Sequence, residues 1–108
     1  MTETTIAIGA EVTTLINVFT VEPDKQQDLV DLLVEATDEV MCELPGFVAA
    51  NIHRSADGTR VVNYAQWRSI TDFEAVASDP RAAVHMRRAA ALARFDPIVC
   101  EVVHSRHV

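Results

Sequence analysis

The stretch from Arg60 to Arg68, Arg-Val-Val-Asn-Tyr-Ala-Gln-Trp-Arg, constrains this chain more than any other. It is rich in β-branched and aromatic residues, which fit the pleated surface of a strand. It directly follows Ala56-Asp57-Gly58-Thr59, and Asp-Gly is a strong hairpin signal because the favoured turn needs positive φ at both central positions. Side chains alternate along a strand, so Val61, Asn63, Ala65 and Trp67 share one face and Val62, Tyr64 and Gln66 the other. The small Ala65 leaves a hollow between Asn63 and Trp67, roughly 13–14 Å long at the usual rise per residue. Bounded by an amide and an indole, it fits the floor of a pocket for something flat and apolar. The same residues also fit a plain core strand with one hydrogen-bonded Asn and a packed Trp.

The rest of the chain supplies partners for that strand. Residues 1–12 have no clear period and are expected to form a flexible arm, leaving 13–108 as one domain. Thr13 to Val21 reads as a strand, with Leu15, Asn17, Phe19 and Val21 on one face and Ile16, Val18 and Thr20 on the other. Pro23 suits the first turn of a helix from Asp24 to about Leu44, where Leu29, Leu33, Ala36, Val40 and Leu44 recur at helical spacing. Its acidic residues, including Asp28, Asp31, Glu35 and Glu39, are expected to face water rather than hold a metal. Pro45-Gly46 ends that helix. Phe47 to Ser55 is a second strand, paired through the Asp-Gly turn with 60–68. Ser69 to Ala77 predicts a short helix capped by Ser69 or Thr71. Ser78-Asp79-Pro80 starts another, from Arg81 to about Ala93, whose many alanines are expected to let it approach the sheet closely. His85 falls at the edge of its apolar stripe. Pro97 to Ser105 is a fourth strand.

The order β-α-β-β-α-β predicts an α+β, ferredoxin-like fold with an antiparallel sheet and helices on one side. The strands are apolar on both faces, as in Ile16 and Val18 against Leu15 and Phe19. Helices cover one face only, and a bare apolar sheet would be an exposed patch of unusual size. A homodimer with two sheets packed face to face, a dimeric α+β barrel, is therefore expected. The formal net charge of −7 argues against nucleic acid or an anionic membrane as partner. Cys42 and Cys100 have neither metal-ligand nor redox spacing, and without a signal pattern or a transmembrane-length run a cytoplasmic protein is expected.

With that order in place, Pro45-Gly46-Phe47, Asp57-Gly58-Thr59 and Val61-Val62-Asn63-Tyr64-Ala65-Gln66-Trp67 resemble the antibiotic biosynthesis monooxygenase family over about residues 13–105. The wording is nearest to the small oxygenases of aromatic polyketide pathways. That resemblance implies a dimeric α+β barrel that oxidises anthrone-like or phenolic compounds to quinones with O₂ and no cofactor or metal. It implies pocket roles for Asn63 and Trp67, and it places a tyrosine on the short helix where this chain has Phe73. It also implies an arginine on the second major helix, with Arg87 and Arg88 as candidates; Arg88 is taken as substrate-binding. The bacterial haem-degrading monooxygenases are similar too. On that alternative Asn17, Trp67 and His85 correspond, with His85 as the iron ligand. A non-catalytic ligand-binding dimer of the same fold is the third reading.

Cofactor-free oxygenation makes its own demands. The substrate loses a proton and its anion reduces O₂, so the protein must hold a flat ring, assist deprotonation, stabilise an oxyanion and exclude water. Asn63 and Asn17 supply amide donors, Trp67 a stacking surface with an N–H. His85, whose type titrates near ~6.5 when unperturbed, is the candidate general base.

Overall fold

The computed structural model describes residues 2–108. Its sheet is built on β1 (Thr13–Val21), which lies between β3 (Arg60–Trp67) and β4 (Ala93–Cys100), with β2 (Phe47–Arg54) outside β3. All pairings are antiparallel, so this is the α+β, ferredoxin-like arrangement that the order of elements predicts. Three helices, α1 (Gln26–Glu39), α2 (Ile70–Ala75) and α3 (Pro80–Leu92), accompany the sheet.

The register decides which side chains meet. Leu15, Asn17 and Phe19 on β1 stand opposite Ala65, Asn63 and Val61 on β3. On the far side of β1, Pro97 and Phe95 face Asn17 and Phe19. Two hydrophobic clusters form against these rows. Phe19, Val21 and Val61 pack with Leu29, Leu32, Leu33 and Ala89. Leu15, Ala65 and Trp67 pack with Leu44, Phe47, Ala50, Phe73 and Val76. The Asn17–Asn63 row separates the two clusters. An amide pair cannot complete an apolar core, and the core opens there.

Several boundaries differ from the sequence expectations. Helix α1 stops at Glu39, because Val40 leaves helical geometry at φ −125° and ψ −62°, and Met41–Glu43 is a single 3-10 turn. Strand β4 runs Ala93–Cys100 rather than Pro97 to Ser105, starting with no loop after α3. Pro97 therefore lies inside the strand, which is allowed because β4 is an edge strand and one side of it needs no N–H donors. The alanines of α3 divide their contacts between the sheet and α1. Ala82 and Ala89 are fully buried; Ala89 reaches Phe19 and Val61 of the sheet, while most of α3 lies against α1.

Local hydrogen bonds and close contacts hold the hairpin and the second helix. Asp57 accepts hydrogen bonds from Thr59 N, Thr59 Oγ1 and Ser55 Oγ at 2.7–3.0 Å, with Gly58 at φ 82°. These bonds, Thr59 first, draw its carboxyl down to about 2. Buried Gln26 on α1 donates to the carbonyls of Ser55 (3.1 Å) and Arg60 (2.9 Å), pinning the base of the hairpin to the helix layer. At the other end Ser69 caps α2 by accepting from Asp72 N at 3.0 Å. Gly46, at φ 83°, lies so close to Asp72 that a Cβ there would collide with the carboxylate.

The face of the sheet away from the helices carries Ile16, Val18, Val62 and Tyr64. Residues ahead of β1 have no regular structure, yet they are tied to this face: Thr4 bonds Asn51, and Gln66 donates to the Thr5 carbonyl at 2.9 Å. Among the described residues, no helix is long and apolar enough to cross a membrane.

Candidate active site

A cavity of about 460 Å³ lies between the sheet and the helices. Its floor follows from the strand register. Asn17 and Asn63 sit side by side across β1 and β3; one step along, Ala65 and Ala50 pair across β3 and β2 and leave a shallow bed. Beyond the bed, Trp67 meets Phe47 edge-on at 5.5 Å and 90°, and Phe73 of α2 leans on the indole at 6.3 Å and 54°. Phe47 and Ala50 are three residues apart and would point to opposite faces of a regular strand. A β-bulge between Phe47 and Ala49 brings both to the cavity. Helix α1 closes one side with Leu32, Leu33 and Ala36, and α3 contributes His85 and Met86.

The polar groups in this apolar space are few and unpaired. Among the described residues, neither Asn17 nor Asn63 has a side-chain hydrogen bond, and the Oδ1 of each is buried without a partner. His85 Nδ1 lies 3.1 Å from the Arg81 carbonyl. A carbonyl only accepts, so Nδ1 carries the proton and, in the neutral ring, Nε2 has the lone pair. That Nε2 is buried and makes no hydrogen bond. An unpaired buried polar group costs roughly 1–3 kcal/mol, and buried polar groups in native proteins are seldom left so. Three of them lie within this one cavity.

Of the residues singled out in the sequence, Asn17, Asn63, Trp67, Phe73 and His85 all line this cavity. Arg88 does not. Its side chain is 54% exposed, and its Nη1 lies 3.8 Å from Glu35 Oε1 on the outer side of α1 and α3. The acidic flank of α1 also departs from expectation. Glu35 is only half-exposed and approaches His85 Nε2 at 3.7 Å, because α3 packs against this part of α1. Glu35, Glu39 and His85 bring one ligand atom each within 4.8 Å of one another, a grouping with room for a metal ion. Sequence reading missed Phe47 and Ala50, whose place depends on the bulge. It also missed Met86 and Glu74 in the wall; Met86 follows His85 directly, and only the packing of α3 shows which side it takes.

The profile of antibiotic biosynthesis monooxygenases matches residues 13–90. The chain belongs to that family. It is a monooxygenase, as the named enzymes that it matches over nearly its whole length show. Among curated relatives, it is 48% identical over 101 residues to tetracenomycin-F1 monooxygenase of Streptomyces glaucescens, covering 94% of this chain and 90% of that enzyme. Among solved structures it is similar to the ActVA-Orf6 monooxygenase of Streptomyces coelicolor, in complex with nanaomycin D. There the identity is 30% and the TM-score 0.80, over 89% of this chain and 91% of that one. The cofactor-independent oxygenase SnoaB of Streptomyces nogalater, at 23% identity and a TM-score of 0.74, shares the fold over 89% of this chain and 97% of its own. The alternative that makes His85 a haem ligand gains nothing from these relatives.

Proposed function

We propose that this chain is a cofactor-independent monooxygenase that oxidises a flat polycyclic phenol or anthrone with O₂ to a quinone. The observation that carries the reading is the set of three unpaired polar groups, Asn17, Asn63 and His85, in one apolar cavity beside Trp67. The ring rests over Ala65 and Ala50 with its hydrocarbon edge toward Trp67, Phe47 and Phe73. Its oxygen-bearing edge faces the two amides. The relatives named for tetracenomycin F1 and bound to nanaomycin D support a ligand of this class.

In the reaction, an anthrone CH₂ and O₂ become a ketone C=O and water. His85 Nε2 takes a proton and leaves an electron-rich anion, with the bond tightening as substrate is pressed against the wall. The anion passes one electron to O₂; radical and superoxide combine to a peroxide anion. Protonation gives the hydroperoxide, which loses water to form the carbonyl. The substrate supplies all four electrons that reduce O₂, so no separate reductant is required. Asn17 and Asn63 donate to the oxyanion as charge builds, and the apolar walls keep water from the anion.

The test uses emodin anthrone and ¹⁸O₂, with oxygen uptake and product mass followed together. One ¹⁸O per product and uptake above the spontaneous rate are expected, in the presence of a chelator. His85→Ala should lower kcat by roughly 10²–10⁴-fold. Binding of the compound with uptake no faster than the spontaneous rate would support the non-catalytic reading instead.

The second part of the proposal is a cytoplasmic homodimer in which the open sheet faces pack together. Ile16, Val18 and Val62 have no helix over them, and the hydroxyl of Tyr64 on that face is buried without a partner. Sedimentation equilibrium should give twice the chain mass, and Val18→Glu should give monomers. A wild-type monomer at micromolar concentration would sink this part.

A further inference from the structure

We propose that the N-terminal arm, residues 2–12, is a built part of the subunit interface, and that the partner it meets is a second copy of this chain. This rests on the homodimer reading of the open sheet face and adds where the two chains touch.

The open face is not uniformly bare. Thr14 and Gln66 stand opposite each other at one end of it, and they are 3% and 4% exposed although they point away from the helices. The arm supplies the cover. Gln66 Nε2 donates to the Thr5 carbonyl at 2.9 Å, and the Thr4 hydroxyl exchanges two bonds with the Asn51 amide at 2.8 and 3.1 Å. Farther along the same face Ile16, Val18, Val62 and Tyr64 are only half-buried, and Ile98 of β4 is 44% exposed. The arm therefore covers one end of the sheet and leaves the other open.

The uncovered part is too small to hold a dimer by itself. Four strands about 4.8 Å apart, over the five residues from Ile16 to Thr20 at about 3.4 Å each, span roughly 19 by 17 Å, or about 320 Å². Even about twice that, for the relief of side chains, falls short of the roughly 800 Å² that a stable interface takes from each partner. The arm holds further apolar area. Beyond its anchors it turns at Gly9 (φ 79°) and carries Ile6 and Ile8, 49% and 55% exposed. They find no cover within the chain, and burying them is favourable.

The charges favour a second copy as the partner. On the open face of β4, Arg94 and Asp96 are two residues apart and exposed, with no ion pair among the described residues. In a two-fold contact residue i meets j and j meets i, so each arginine can face the other chain's aspartate. A face with one charge of each sign is complementary to itself.

Sedimentation velocity over a dilution series tests this with wild type, a chain lacking residues 2–10, and the double variant Ile6→Ser with Ile8→Ser, which keeps the Thr4 and Thr5 anchors. Both variants should raise the dimer dissociation constant at least about tenfold. A second measurement needs no variant. Amides of residues 6–8 should exchange more slowly at concentrations where the wild-type dimer forms than where it is dissociated; exchange that is alike at both overturns the inference. Equal dissociation constants in all three chains also overturn it, and leave the dimer standing on the sheet alone. A dimer that tightens without the arm overturns it too, since the arm would then compete with the partner. A wild-type monomer at micromolar concentration removes the dimer reading and this inference with it.

Discussion

The two faces of the sheet treat the same kind of side chain in opposite ways. On the open face, the buried amide of Gln66 donates to Thr5, and Asn51 bonds both Thr4 and the Tyr64 carbonyl, at 2.8–3.1 Å. On the helix face, the side chains of Asn17 and Asn63 line an apolar cavity with no hydrogen-bond partner among the described residues. Amides that serve the fold are paired, because an unpaired one weakens it; amides that lack partners are held there at a cost in stability. The contrast concerns the amides alone, since the Tyr64 hydroxyl on the open face is also unpaired. It also makes the two groups respond with opposite sign to substitution.

The widest gap between them is expected at Asn63. Asn63→Leu should lower kcat with an anthrone by roughly 10²–10³-fold, the scale of losing one oxyanion donor. It should also raise stability by up to about 1 kcal/mol, since the orphaned amide disappears. Thermal unfolding beside the oxygen electrode reads both. A variant that loses stability as well as activity would break the comparison.

Gly46→Ala acts on the cavity from outside it. The positive φ and the collision with Asp72 together should cost about 2–4 kcal/mol. Because Asp72 and Phe73 are neighbours on α2, the aromatic wall should loosen too, seen as a change in Trp67 fluorescence. Gln26→Leu is the structural counterpart to Asn63→Leu. It leaves the Ser55 and Arg60 carbonyls without their donor, so urea unfolding should show a loss of about 1–3 kcal/mol. A neutral result would mean that water replaces the amide freely.

The smallest effect is expected at Asp57 and depends on pH. Its carboxyl is drawn from 3.8 to about 2 in the folded chain. The stabilisation is therefore complete above about pH 4 and is lost as pH falls through about 2. Asp57→Asn should be less stable than wild type by a constant amount near neutrality, and the difference should close in acid. Because neutral hydrogen-bond donors dominate and the Arg60 charge is the smallest cause, high salt should change the difference little.

Much of this was readable in the chain itself. The period-2 pattern of 60–68, the Asp-Gly turn and the helical spacing of Leu29, Leu33 and Ala36 determined the order of elements and which residues share a face. Alternation alone put Asn63, Ala65 and Trp67 together, and Asn17 with Phe19. Local rules of this kind act over a few residues, and sequence displays them directly. The pairing of Asn17 with Asn63 was decided by strand register, the inward turn of Phe47 by a bulge, and the exile of Arg88 by the rotation of α3 against α1. The approach of Glu35 to His85 depends on that same helix contact. Each joins residues far apart in the chain through packing, where a shift of one residue or a small rotation changes the partner, and no local pattern encodes that choice.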